Sequence, residues 1–176
     1  DQPAVSHELK MKLKKYSDLI DQTIAAVRNL AYGLRPPVLD EMGLVRALEI
    51  YCKEFSKDNG LKIEFQTAGI HNLNFDSNTE IHLYRLVQEG LNNIRKHADA
   101  DQATIRLVGA FPNIILRIED NGKGFDVKAC RLKSDKKKRM GLQSMRERVK
   151  LLQGRITIQS RPMQGTRILI TYPSNV

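Results

Sequence analysis

The chain has 176 residues, 41% of them hydrophobic, enough for one packed domain or for a domain of about 130 residues with an appendage. Its net charge of +9 raises nucleic acid as a partner, but seven basic and two acidic residues fall within 126–140, so over half the excess sits in one stretch. That stretch comes without a helix-turn-helix, zinc spacing or aromatic stacking motif, which excludes direct nucleic-acid binding, and no run of about eighteen apolar residues offers a membrane-spanning helix.

The first thirty residues are charged and amphipathic, unlike a secretory leader. Leu9, Leu13, Tyr16, Ile20, Thr23, Val27, Leu30 and Leu34 recur in alternating steps of four and three. This heptad pattern predicts a long helix burying its stripe in a helical bundle, most simply that of a homodimer. Pro36 and Pro37 end it, because proline lacks an amide donor and clashes with the preceding turn. Asp40 is placed to cap the next helix, whose stripe is Leu44, Leu48, Tyr51 and Phe55 and whose stop is Asn59-Gly60. Cys52 and Cys130 have neither the spacing nor the histidine neighbours of a metal site and are expected to be ordinary thiols of a cytoplasmic protein.

From residue 61 the pattern is mixed. Residues 61–67 alternate as a strand, 78–98 form a helix, and 103–110 and 113–120 read as a hairpin around Phe111-Pro112-Asn113. A helix over 141–153 follows the basic stretch, then a second hairpin from 155–160 and 166–173 around Pro162–Gly165. The order predicts an α+β, two-layer sandwich, a largely antiparallel sheet with helices on one face, preceded by the coiled-coil-type helix. The division is a helix over 1–35, a hinge over 36–43 and a globular domain over 44–176.

Four constellations carry chemistry. On the helix containing YRLVQEGLNNIRKHA, with Glu89 at zero and 100° per residue, Asn93 falls at about 40°, Lys96 at about 340° and His97 at about 80°. Leu83, Val87, Leu91, Ile94 and Ala98 cluster on the neighbouring stripe. A carboxylate, an amide, an ammonium and an imidazole side by side suit magnesium and a triphosphate: magnesium takes oxygen ligands, and a neutral amide holds it without quenching its charge. The second constellation is Asp120-Asn121-Gly122-Lys123-Gly124-Phe125 at a strand end. Asn-Gly is also a hairpin signal, but a charged stretch rather than a returning strand follows. The glycines are then positions of close approach to a ligand, and Asp120 is an acceptor for an exocyclic amine such as adenine's. Third, Met140-Gly141-Leu142 opens a helix whose free amides can meet phosphate. Fourth, Gly165-Thr166 enters the last strand.

In this order the four resemble the asparagine box, the two glycine boxes and the terminal Gly-Thr box of histidine kinase ATP-binding domains. These belong, with gyrase and MutL-type ATPases, to the superfamily with the Bergerat fold. LRPPVLDEMGLVRAL, residues 34–48, resembles the junction that follows the third type of histidine kinase dimerisation domain. Residues 140–173 are similar to that subfamily's C-terminal pattern. The resemblance implies a protein-histidine kinase core that uses ATP and magnesium and passes phosphate from a histidine of the dimerisation domain to a response regulator, one with a helix-turn-helix output domain. It implies that Asn93 chelates magnesium, Glu89 positions or polarises a water, Lys96 and His97 approach the phosphates, and Asp120 binds the adenine amine. Gly122 and Gly124 shape the pocket, Gly141 and Leu142 lie at the triphosphate, Thr166 lies near the base, and residues 126–140 form a mobile lid. Arg139 stands where the family commonly has the first glycine of Gly-x-Gly-Leu. The family's acceptor sits in an Arg-x-x-His-Asp setting well before the Leu34-Arg35 junction. His7-Glu8 is too near that junction, so the acceptor is expected to be missing here and the fragment unable to label itself. An anti-sigma-factor-type serine kinase would share the nucleotide boxes without the heptad helix, and a pseudokinase scaffold would not need Asn93 and Asp120. The full-length protein can be membrane-anchored, although no membrane contact is expected of this stretch.

Overall fold

A computed structural model describes residues 36–70, 73–127 and 136–174, together with Tyr16; side chains are described for all of these except 136–140. The chain divides into two units, Asp1–Glu41 and Met42–Val176. The predicted helix over 1–35 lies outside the described residues, apart from Tyr16, which is helical and exposed.

Helix α1, Pro37–Asn59, starts earlier than the sequence suggests. Pro37 is its first residue, a position where the missing amide costs nothing, and Asp40 therefore lies in the first turn rather than at the cap. The helix is broken at Gly43 (φ 70°, ψ 173°), a conformation essentially confined to glycine. Beyond the break Leu44, Leu48, Cys52 and Phe55 are buried. Burial pushes the Cys52 thiol up to about 12, which keeps it an inert packing group. Gly60, at φ 64°, ends the helix in the left-handed conformation.

Strand β1 (Lys62–Ala68) leads through helix α2 (Ser77–His97) to β2 (Gln102–Ala110) and β3 (Asn113–Asp120). Helix α3 (Lys136–Leu151) is followed by β4 (Arg155–Ser160) and β5 (Thr166–Pro173). The sheet order is β1-β2-β3-β5-β4. Only the β1–β2 pair, spanned by the α2 crossover, is parallel; the other three are antiparallel. Helix α3 begins five residues before the predicted start at Gly141. The run Lys-Lys-Lys-Arg-Met holds good helix formers and no cap or breaker, so nothing in it stops the helix from extending backwards.

Register explains the core. Ile105 pairs with Ile118, Ile118 with Ile168, and Ile168 with Ile158; Leu107, Leu116, Ile170 and Ile156 form the next row. Alternation puts these rows on one face. Helix α2 packs on β2 and β3, and α3 on β4 and on α2. Leu83, Leu86, Val87, Leu91 and Ile94 of α2 are buried, and Tyr84 meets Tyr51 of α1 with ring centroids 5.5 Å apart.

Asp76 caps α2: its Oδ1 accepts from the amides of Asn78 (2.9 Å) and Thr79 (3.0 Å), and its Oδ2 from the Thr79 hydroxyl (2.7 Å). These bonds, the Thr79 hydroxyl first, hold the carboxyl below the usual range. Asp76→Ala should destabilise the domain by about 1 kcal/mol. A depressed carboxyl stabilises above its unfolded pKa and loses that contribution as pH falls through the folded one. The Tm gap between wild type and variant should therefore be full at neutral pH and close below about pH 4.

Candidate functional site

The apolar rows end in a polar one. Asp120 pairs with Thr166, and Thr166 with Ser160, two residues beyond Ile118, Ile168 and Ile158 on the same face. The last turns of α2 lie over this row. Between helix and sheet is a cleft, partly open to solvent, lined by Asn93, His97, Asp120, Leu142 and Thr166 above an apolar floor of Ile118 and Ile168.

On the sheet side, the Gly122 amide donates to Asp120 Oδ1 at 2.9 Å, and the Thr166 amide and hydroxyl donate to the same carboxylate. Burial still pushes the Asp120 carboxyl above the usual carboxylate range; the bonds offset it only in part. Asn121 turns the other way: its Oδ1 accepts from the Gln102 amide at 3.1 Å, and its Nδ2 donates to Asp101. Of the Asp-Asn pair, Asp120 alone therefore lines the cleft.

On the helix side, Asn93 Nδ2 donates to Glu89 Oε1 at 3.2 Å and lies 4.0 Å from Met145 Sδ. A carboxylate can only accept, so it holds the amide nitrogen and leaves Asn93 Oδ1 for another partner. A β-carbon on Gly141 would stand 3.2 Å from that oxygen and would run into Glu89 Oε1. Gly141 thus reaches Glu89 and Asn93 from inside α3, not from a helix start. His97 lines the cleft, whereas Lys96 is exposed and does not. Among the described residues no group of three or more His, Cys, Asp or Glu could hold a metal ion. The donor set of Asn93 Oδ1 and Glu89 fits a magnesium ion held jointly with phosphates and waters.

The glycines of the Asp120 loop, expected to make room for a ligand, have protein neighbours. A β-carbon on Gly122 would run into the Ala98 carbonyl, and the Lys123 amide donates to that same oxygen at 2.7 Å. Gly124, at φ 56°, abuts the carbonyls of Arg161 and Gly165 and also lines the cleft. Gly165 sits against the Asp120 carbonyl. Gly90 and Ser160 were not singled out from sequence. Gly90 lines the cleft, and a β-carbon there would meet Ile118 Cδ1 at 2.6 Å; a glycine within the apolar stripe of a helix was its signal. Ser160, in phase with Ile156 and Ile158, was readable as facing inward, but its partners were not.

Residues 78–176 match the family described as histidine kinase-, DNA gyrase B-, and HSP90-like ATPases. The chain belongs to this family. As an ATPase domain, it binds ATP. It is 38% identical, over 165 residues, to the signal transduction histidine-protein kinase/phosphatase DegS of Brevibacillus brevis, a match covering 92% of this chain and 41% of that protein. The DegS of Bacillus subtilis is 40% identical over 141 residues, 79% of this chain and 36% of that protein. The chain thus spans about two fifths of the length of these relatives. The fold is shared with the histidine kinase domain of a blue-light activated histidine kinase from Erythrobacter litoralis (TM-score 0.59, 18% identity, 74% of this chain and 61% of that one). It is also shared with the Acinetobacter baumannii histidine kinase AdeS (TM-score 0.57, 16% identity, 98% and 87%). Among the described residues no helix is long and apolar enough to cross a membrane.

In this ATPase domain, Gly122→Ala should destabilise by about 1–3 kcal/mol, because its new methyl meets backbone rather than a yielding side chain. Urea unfolding measures this, and an unchanged midpoint would contradict the packing at Ala98.

Proposed function

We propose that the chain is the ATP-binding catalytic core of a sensor histidine kinase, moving the γ-phosphoryl group of ATP to a histidine of a dimerisation domain for relay to a response regulator. The observation that carries this reading is one cleft with the Asp120 carboxylate at its sheet end and the Glu89–Asn93 pair at its helix end. The DegS relatives, named as histidine-protein kinases, support the same activity. The alternatives of a serine kinase and a pseudokinase scaffold are not favoured.

In this reading Asp120 accepts from the adenine amine, Thr166 and Gly124 border the base, and Gly122 holds the loop in shape. Asn93 Oδ1 ligates magnesium and Glu89 orients that amide and a nearby water. Magnesium, when bound, offsets phosphate charge as the transfer proceeds. His97, Gly141 and Leu142 border the triphosphate; Lys96, being exposed, acts through longer-range charge. The basic stretch 126–140 closes over the phosphates as a lid; most of it lies outside the described residues. The γ-phosphorus–oxygen bond to the β-phosphate breaks, a bond from phosphorus to the imidazole nitrogen forms, and ADP leaves. Such transfer is mostly positioning and charge stabilisation. The protein is cytoplasmic in this region, dimerises through the helix over 1–35, and serves a regulator with a helix-turn-helix output domain.

Calorimetry should show magnesium-dependent binding of ATP in preference to GTP. Asp120→Asn replaces an acceptor with a donor and should cost about 1–3 kcal/mol; Asn93→Ala should remove only the magnesium-dependent part. An amine favours the ionised carboxylate, so affinity should be level above the Asp120 pKa and fall below it. Burial raises that pKa, so the fall should begin at a higher pH than an ordinary aspartate near 3.9 would give. Equal affinity for ATP and GTP would sink the adenine assignment.

None of the four histidines, His7, His71, His82 and His97, stands in an Arg-x-x-His-Asp setting. With labelled ATP the chain should bind nucleotide without labelling itself. It should phosphorylate an added histidine-bearing fragment slowly, because unlinked pieces lose effective concentration. Acid-labile label on this chain alone that vanished in His7→Gln would show that the acceptor is misplaced.

A further inference from the structure

The polar row at the sheet end holds one residue to which no role has yet been given. Ser160 Oγ accepts from the Phe125 amide at 2.8 Å, donates to the Gly165 carbonyl at 2.9 Å and lies 3.1 Å from Thr166 Oγ1. One hydroxyl thus ties together three stretches of chain: the end of β4, the turn into β5, and the residue after Gly124 from which the basic stretch departs. Two of the three border the cleft, through Gly124, Phe125 and Thr166.

The proton count makes this a matter of ligand recognition. Ser160 and Thr166 have one hydroxyl proton each. They face three places that need one: the Gly165 carbonyl, the Asp120 carboxylate and the contact between the two hydroxyls. When Ser160 donates to Gly165 and Thr166 to Asp120, the 3.1 Å contact between the hydroxyl oxygens has no proton. When Thr166 donates to Ser160 instead, Asp120 loses a donor. Thr166 thus has one hydroxyl proton for two acceptors, Asp120 and Ser160, and a ligand amine on Asp120 lets it turn to Ser160.

We propose that Ser160 is a positioning residue that sets the affinity of the cleft for an amine-bearing base, by competing with Asp120 for the Thr166 proton and by fixing the Phe125 and Gly165 backbone beside the base. The inference rests on the reading of this cleft as an adenine nucleotide site. Without the Ser160 hydroxyl, the Phe125 amide and the Gly165 carbonyl lose a partner, and the Thr166 hydroxyl goes on donating to Asp120, where it competes with the incoming amine.

The test is titration of the whole chain with ADP and with adenosine, for wild type, Ser160→Ala, Ser160→Thr, Thr166→Val and the double variant Ser160→Ala/Thr166→Val, with a Tm for each. Ser160→Ala should raise the Kd of both ligands by the same factor, about tenfold, as expected for one lost hydrogen-bonding group. Ser160→Thr keeps the hydroxyl and should stay within about twofold of wild type. In the double variant the two effects should fall short of additivity, because both act through one proton. Ser160→Ala binding like wild type, additive effects, or a loss that Ser160→Thr shares would each overturn the inference while leaving the nucleotide site standing. Should Ser160→Ala fail to fold, Ser160→Thr and Thr166→Val still decide: weakening by Ser160→Thr alone overturns it. A wild-type chain that binds no ADP overturns the underlying reading and this inference together.

Discussion

The Lys123 amide donates to the carbonyl of Ala98, the residue just past α2, and Gly122 packs against the same carbonyl. This contact pins the end of the helix to the end of β3. From it the helix and the sheet diverge, and the cleft is the space they leave. Asn93 and His97 on one side and Asp120 on the other are held at a fixed spacing because their elements meet at that point. The glycine is required by the closeness of two backbones, since any β-carbon would push helix and strand apart. Ser160, Gly165 and Thr166 then build outward from the clamped strand end, with the Gly165 amide donating to the Gly122 carbonyl at 2.8 Å.

Much of this arrangement was legible in the sequence because it rests on local periodicity. Strands β4 and β5 span the residues that alternation assigns to them, and the apolar stripe of α2 is the one that 100° steps pick out. The same periodicity put Glu89 beside Asn93, and the structure joins them by a hydrogen bond. It failed where no apolar pattern exists. Residues 136–140, charged but for Met140, carry no signal for where α3 begins, and Pro37 is compatible both with ending one helix and with starting another. Sheet order and register are tertiary properties. No local pattern reveals that β1 lies parallel to β2, or that Asp120, Thr166 and Ser160 share a row.

The glycines of the Asp120 loop were legible as sites of close approach but not as to what approaches. Glycine records that a side chain is intolerable, and a nucleotide and a neighbouring carbonyl forbid it equally well. At Gly122 the neighbour is the end of α2; at Gly124 it is the β4–β5 turn on one side and the cleft on the other. Lys96 shows the converse limit. Its angle on the helix is close to that of Glu89, yet it lies about two turns further on, where the helix end is exposed. Angular position alone does not say whether an element still has a partner at that depth.

The two ends of the cleft are held by different kinds of structure, and this bears on what each can discriminate. At the sheet end, the carboxylate is fixed by amides of Gly122 and Thr166 and by turns whose glycines sit at φ 56° and 67°. Backbone donors cannot swing away, so a ligand without a matching donor leaves Asp120 underpaired at an energetic cost. At the helix end, the groups are side chains: the Asn93 amide is oriented by one bond to Glu89 and packed by Met145, whose helix also carries Gly141. Such groups can rearrange with the helix that presses on them. On the proposed reading, selectivity for the base resides in the rigid end. Response to phosphate and metal resides in the adjustable one. One fold thus separates recognition, which needs fixed donors, from a step that must open to admit ATP and release ADP.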